Sequence, residues 1–241
     1  MDHLSVSIHS MPVFSMSLPK KAVQPKRDPY DGLRIWSAIT HGAGAALAAI
    51  GTLALLLRCL SLHRSFLPCL IYGLSMVCLY TASTLYHSVN TSVPGRLALR
   101  KYDHCSIYLL IAGSYTPVCL IALKGITGVT LTAVIWTLAL AGIVLSILWI
   151  DCPRWLTSGV YLFMGWLALF AIGPISRALP PAGFAALVLG GVLYSIGGVL
   201  YAAKWPGRNN PRFGCHEIFH VFILLGSAAH YAMMYTAILA L

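Results

Sequence analysis

Seven long apolar stretches, separated by short polar links, constrain this chain more than any other feature of its sequence. Each is about as long as a helix that crosses a bilayer, which takes roughly 20 residues. With 59% apolar residues, 9% charged residues and a mean hydropathy of +0.81, the chain has too little polar surface to cover a soluble domain. We therefore predict an all-α membrane protein built as a seven-transmembrane-helix bundle. The stretches are 36–57, 66–86, 106–123, 129–150, 155–172, 184–203 and 217–239.

The distribution of Lys and Arg predicts how this bundle is oriented. Residues 1–34 contain a basic cluster but no apolar run, and we interpret them as a basic, mostly disordered cytoplasmic tail before a transmembrane domain at 35–241. If the seven stretches cross in turn, one side holds 12 Lys and Arg and the other holds 4. The positive-inside rule then places the N-terminus in the cytoplasm and Leu241 outside. Because topology accounts for the net charge of +10, we expect no nucleic-acid partner.

Ionisable side chains collect at the ends of three stretches. In a chain with only six Asp and Glu, such groups are costly inside a membrane and usually mark a functional site. His216 and His220 are four residues apart, so on a helix they share a face and can bind one metal ion. His87 closes the second stretch at the same predicted membrane face and is the best-placed third ligand. The sequence predicts a zinc site formed by these three histidines near the cytoplasmic face.

The segment from His216 to His220 also matches the His-Glu-x-x-His pattern of zinc proteases, in which the Glu is the general base. His230 cannot complete such a site, because it lies ten residues on, about 15 Å along the same helix. For Glu217 we favour a capping role at the helix N-terminus over a role as base. His41, at the inner end of the first stretch, is a candidate for supporting the site, ranked behind a plain interfacial role.

Two further polar residues suggest what the site does. Three imidazoles leave a fourth zinc position for water, whose pKa zinc lowers to roughly 7. Asp103 can hold this water and relay its proton, and Ser83, one turn before His87, can donate a hydrogen bond to a substrate carbonyl. Together they predict amide or ester hydrolysis. Taken singly, Ser83 can instead bond a carbonyl of its own helix, and His87 can anchor at the interface. Asp103 can pair with Lys101 or Arg100, or cap its helix.

At these positions the chain strongly resembles the hemolysin III family, within the progestin and adipoQ (adiponectin) receptor superfamily. The matching segments are Ile39-Thr-His41-Gly, Ser83-x3-His87, the run from Lys101 to Pro117, and His216-x3-His220 with the Leu-Gly-Ser that follows. The run from Asp103 to Pro117 is the most specific of them. The resemblance implies a seven-helix bundle in a bacterial plasma membrane. It also implies zinc on His87, His216 and His220, with Asp103 and Ser83 completing the polar shell.

The resemblance implies three classes of function. Relatives among the alkaline ceramidases imply a zinc-dependent lipid amidohydrolase, acting on a ceramide-like amide or ester that enters from the bilayer. The hemolytic activity attributed to bacterial members implies cytolysis by membrane permeabilisation. The animal receptors imply a ligand sensor in which zinc is structural. We rank the hydrolase first, because the helices look constitutively membranous and the inner loops are short. The expected partner is a membrane lipid, as substrate or ligand, and the oligomeric state stays open.

Overall fold

The computed structural model describes residues 31–241 apart from 124, 209 and 211. In this part of the chain seven helices are long and apolar enough to cross a membrane and no strand occurs, which confirms the predicted fold class. The predicted tail lies outside the described residues up to residue 30. The helices are α1 (Ile35–Ser61), α2 (Leu67–Ser88), α3 (Val93–Ala122), α4 (Ile126–Leu148), α5 (Arg154–Ala178), α6 (Pro181–Ala203) and α7 (Cys215–Ala240).

Helix α3 begins well before the apolar stretch that predicted it. The Ser92 side chain caps it by accepting a hydrogen bond from the Gly95 N–H at 3.4 Å, and a proline stands in its first turn, where a missing N–H costs nothing. Hydropathy marks only the part of a helix that lies in hydrocarbon, so it missed the charged turns that precede residue 106. Asp103 therefore lies inside α3 rather than at its opening.

Helix α5 is interrupted near its middle by a 3₁₀ turn over Leu167–Ala171. The Tyr115 hydroxyl, on α3, lies 2.9 Å from the carbonyl oxygen of Met164 and 2.7 Å from that of Gly165. It also accepts a hydrogen bond from the Ala168 N–H at 2.8 Å. A side chain of a neighbouring helix thus satisfies backbone groups that the irregular turn releases, as a buried membrane helix requires.

The start of α1, the end of α2 and the start of α7 meet at one end of the bundle. The Arg34 N–H donates to the His87 carbonyl at 3.0 Å, and the Arg34 side chain pairs with Glu217 at 2.9 Å. Arg100 on α3 pairs with Asp151, in the link after α4, at 2.8 Å. We call the end of the bundle where these helix ends meet the cluster end.

The surface and the interior have the polarity expected in a bilayer. Large apolar side chains face outward, with Phe170 86% exposed and Leu148 80% exposed. Arg96, Glu217 and several histidines are buried instead. In hydrocarbon, polar groups are satisfied inside the protein while apolar groups face the lipid. The polar interior at the cluster end is where a functional site is expected.

Candidate metal centre

Three histidines meet at the cluster end, two from α7 and one from α2. His216 Nε2 lies 3.2 Å from His87 Nε2 and 3.1 Å from His220 Nε2. All the ligand atoms lie within 4.8 Å of one another, and within the described residues no other histidine, cysteine or acid joins the group. Nitrogen ligands of a tetrahedral zinc site, with bonds of about 2.0–2.1 Å, stand about 3.3 Å apart. Two of the three separations match that spacing, so the group can hold a metal ion.

His87 is held in the tautomer that a metal ligand needs. Its Nδ1 lies 2.6 Å from the carbonyl oxygen of Gly32. A carbonyl can only accept, so Nδ1 carries the proton and the Nε2 lone pair faces His216. The short segment that precedes α1 therefore orients a side chain at the end of α2.

The last turn of α2 is fixed by two residues from other segments. Gly32 lies so close to the Tyr86 ring that a Cβ at this position would overlap it. The buried Arg96 guanidinium also lies over this ring, 4.7 Å from its centroid. Arg96 also donates hydrogen bonds to the carbonyls of Tyr86 at 2.6 Å and Val89 at 2.8 Å. Sequence reasoning missed both residues, because it counted Arg96 only as a topology charge and saw no periodic signal at Gly32.

Glu217 makes its contacts with the helix cap and with α1. One carboxylate oxygen accepts hydrogen bonds from Arg34 at 2.9 Å and from the Ser37 hydroxyl at 3.2 Å. The other carboxylate oxygen accepts a hydrogen bond from the Gly214 N–H at 2.8 Å. These contacts use the fully buried carboxylate as a cap, which agrees with the capping role favoured from the sequence.

Ser83 and Asp103 are brought together from α2 and α3. Both line the same cavity as His216 and His220. Arg100, a possible partner of Asp103 by sequence, pairs with Asp151 instead. The two residues predicted to act on substrate thus stand on the wall of a space that also contains two of the predicted ligands.

That cavity has a volume of about 370 Å³ and a mainly apolar lining, within the roughly 300–1,000 Å³ of small-molecule sites. The cluster end of α7 borders it through His216 and His220, and its wall continues to Phe184 and His230. The step from His220 to His230 covers about 15 Å of helix. The shape suits a molecule with a long apolar part and a polar group at the histidine cluster.

His41 packs against the cluster rather than at the interface. It is buried, its ring stacks on His220 at 3.7 Å between centroids, and it meets the Tyr80 ring edge-on at 5.0 Å. These contacts favour the supporting position and contradict the interfacial role that ranked first from the sequence. The rigid ring behind His220 restricts how that imidazole can turn.

A second, smaller pocket of about 200 Å³ borders the cluster and is strongly basic. Its lining includes four cationic side chains together with His216, namely Arg34, Arg154, Lys204 and Arg208. The sequence interpretation treated these charges only as topology signals. They lie at the starts of α1 and α5 and in the link after α6. That grouping could have indicated a shared site, but the paths of these segments could not be read from periodicity.

Comparison with known proteins shows which family and which proteins this chain resembles. A family model described as "Haemolysin-III related" matches residues 33–231. The chain is 41% identical over 197 residues to "Hemolysin-3 homolog" of Bacillus subtilis (strain 168), covering 81% of this chain and 89% of that protein. It is 41% identical over 197 residues to "Hemolysin-3" of Bacillus cereus, covering 80% of this chain and 86% of that protein. The human "Monocyte to macrophage differentiation factor" is 26% identical over 170 residues, covering 67% of this chain and 66% of that protein.

Proposed function

This chain belongs to the haemolysin-III-related family of multi-pass integral membrane proteins, and from its histidine cluster we propose that it is a zinc-dependent hydrolase of a lipid amide or ester. The observation behind the proposal is the meeting of three imidazole Nε2 atoms beside a mainly apolar cavity that Ser83 and Asp103 also line. Charge asymmetry puts the cluster end at the cytoplasmic face, and the reacting bond lies at that depth.

His87, His216 and His220 would hold the ion through their Nε2 atoms, which face one another. When bound, zinc supplies Lewis-acid chemistry that polarises a carbonyl and makes water nucleophilic at neutral pH. The Gly32 carbonyl keeps the Nδ1 proton of His87 in place. The His41 ring, stacked on His220, limits its rotation, so the ligand geometry is preorganised.

Asp103 and Ser83 act on the substrate side. The Asp103 carboxylate accepts a proton from the attacking water and returns it to the leaving nitrogen or oxygen. The Ser83 hydroxyl, on the same cavity wall as Asp103, donates to the carbonyl oxygen as negative charge develops there. The apolar cavity binds the chain of the lipid and keeps bulk water away from the reacting bond.

The metal is tested by elemental analysis of protein purified in detergent without chelator. We expect about one zinc per chain in the wild type, from the three-histidine site, and loss of zinc in His87→Ala and in His216→Ala/His220→Ala. His63→Asn is the matched control. It removes an exposed histidine in the link between α1 and α2, at a left-handed position that Asn tolerates. Wild-type protein without zinc would refute the hydrolase.

The chemistry is tested with a panel of lipid amides and esters. Asp103→Asn and Ser83→Ala should lose turnover by roughly a hundredfold or more, as removal of an acid-base or oxyanion group does. Both variants should keep their zinc. Turnover that survives in Asp103→Asn would contradict its assignment as the proton relay.

The names of two relatives support a second candidate, membrane permeabilisation. Both Bacillus proteins that are 41% identical are named as hemolysins. A permeabilising protein should release dye from liposomes whether or not His87, Asp103 or zinc is present. Leakage that disappears together with zinc binding would contradict this candidate.

A further inference from the structure

The basic pocket beside the metal centre contains more positive charge than the protein neutralises. Arg34 is ion-paired with Glu217. The other three cations, Arg154, Lys204 and Arg208, form no salt bridge with an acid among the described residues. Like charges that share a concave site repel one another unless an anion joins them.

This arrangement goes beyond what the positive-inside rule requires. That rule needs cations on one side of the membrane, but it does not need them to converge. Here residues from three separate segments line one pocket. The Arg154 guanidinium lies over the Tyr201 ring at 5.0 Å, and this ring stands 5.5 Å from that of His216. A stacked guanidinium is held in place and can present its N–H groups to an anion.

The pocket and the apolar cavity meet at one residue. His216 lines both of them. The pocket, at about 200 Å³, is smaller than sites that enclose a whole ligand, which take roughly 300–1,000 Å³. It therefore suits the polar end of a molecule whose apolar part occupies the neighbouring cavity. The metal-binding residues stand between the two.

We propose that the basic pocket binds the phosphate of a lipid headgroup, so that the substrate is an acyl lipid bearing a phosphate rather than a neutral one. In such a lipid the acyl carbonyl lies between the phosphate and the hydrocarbon chain, which is the order of pocket, metal centre and cavity. Guanidinium and ammonium groups are the side chains that recognise phosphate best.

The inference rests on the proposed hydrolase, and its chemistry balances with water alone. The oxygen of water bonds to the acyl carbon while the bond from that carbon to the leaving oxygen or nitrogen breaks. One proton of the water passes through Asp103 to the leaving atom. The products are a fatty acid and a phosphate-bearing alcohol or amine, and no oxidant, reductant or second substrate is needed.

Binding is measured by titration of detergent-purified protein, as isolated and again after chelation, so that phosphate on the metal is separated from phosphate in the pocket. The probes are a short-chain phosphatidic acid, the matched diacylglycerol and inorganic phosphate. The test variant is Lys204→Gln/Arg208→Gln. Its control, Lys101→Gln/Arg212→Gln, removes the same charge from the same end of the bundle, at residues that do not line the pocket.

We expect phosphatidic acid to bind more tightly than diacylglycerol, with or without metal. The test variant should weaken that binding by about thirtyfold, the loss expected for two basic groups near an anionic lipid. The control should leave it unchanged. If the double variant does not fold, Arg208→Gln alone, at an exposed position, should weaken binding by about fivefold.

Three binding results would overturn the inference. Equal losses in the test and control variants would show general surface attraction. Equal affinity for diacylglycerol would show that the phosphate is not recognised. Inorganic phosphate that binds as tightly as phosphatidic acid, with the same dependence on the variants, would make this a free-phosphate site.

Zinc content and turnover are measured in parallel, so phosphate-lipid binding without zinc or turnover refutes only the hydrolase. Zinc-dependent turnover that ignores the headgroup refutes only the pocket.

Discussion

Replacing Gly32 with Ala should weaken metal binding although no ligand is changed. The added Cβ would lie 2.9 Å from Cε1 of Tyr86 and closer still to Cζ and the hydroxyl oxygen. The Tyr86 ring is buried and the Arg96 guanidinium lies over it, which opposes movement of the ring. We therefore expect the segment containing Gly32 to move.

The size of the effect follows from one hydrogen bond. The Gly32 carbonyl lies 2.6 Å from His87 Nδ1, and a displacement of about 1 Å would end this hydrogen bond. Loss of the hydrogen bond that orients a metal-binding histidine typically lowers metal affinity about 10–100-fold. That range corresponds to about 1.4–2.7 kcal/mol.

The measurement is the zinc Kd, obtained by competition with a chromogenic chelator. Gly42→Ala in α1 is the matched control, because its Cβ would meet Thr84 Cγ2 at an ordinary 3.6 Å, and its Kd should equal that of the wild type. A Gly32→Ala protein with wild-type zinc affinity would refute the reasoning that this segment fixes the tautomer and direction of His87. Equal weakening in the control would refute it as well.

Three other changes separate the roles of neighbouring groups. Arg96→Gln should lower the free energy of unfolding by about 2–3 kcal/mol, because two carbonyls at the end of α2 lose a charged donor. Its thermal midpoint should fall by roughly 4–12 °C. Arg100→Gln, which removes a partly exposed ion pair, should lower the midpoint less. Glu217→Gln should lower the midpoint through loss of the pair with Arg34 yet keep zinc and turnover, whereas abolished turnover with an unchanged midpoint would make Glu217 the base. EDTA should lower the midpoint of the wild type but not of His87→Ala, because an ion stabilises only the protein that binds it; an equal shift in both would contradict the assigned ligand set.

The seven spans and the histidine cluster could be predicted because both depend on regular features. Hydropathy over about 20 residues marks a span, and i, i+4 spacing puts His216 and His220 on one face. Alternation of direction then brings the end of α2 to the start of α7. This is how His87 could be chosen as the third ligand although 129 residues separate it from His216.

The missed features depend on the paths of irregular segments. Gly32 approaches His87 only because the chain before α1 crosses the end of α2, and no periodicity encodes that path. The pocket between Arg154 and Lys204 likewise depends on how the links after α4 and α6 turn. The start of α3 was misjudged for a different reason, since the helix begins at Val93, before the apolar stretch that hydropathy detects.

The contacts around the cluster favour a catalytic metal over a structural clamp. A clamp would serve to join α2 to α7, but Arg34 already does so without any metal, through its N–H to the His87 carbonyl at 3.0 Å and its side chain to Glu217 at 2.9 Å. Structural zinc sites usually close with four protein ligands, whereas three histidines make up the group found among the described residues. Two of them border the cavity that Ser83 and Asp103 line, so an ion held by these histidines would face the space in which we expect the substrate to bind.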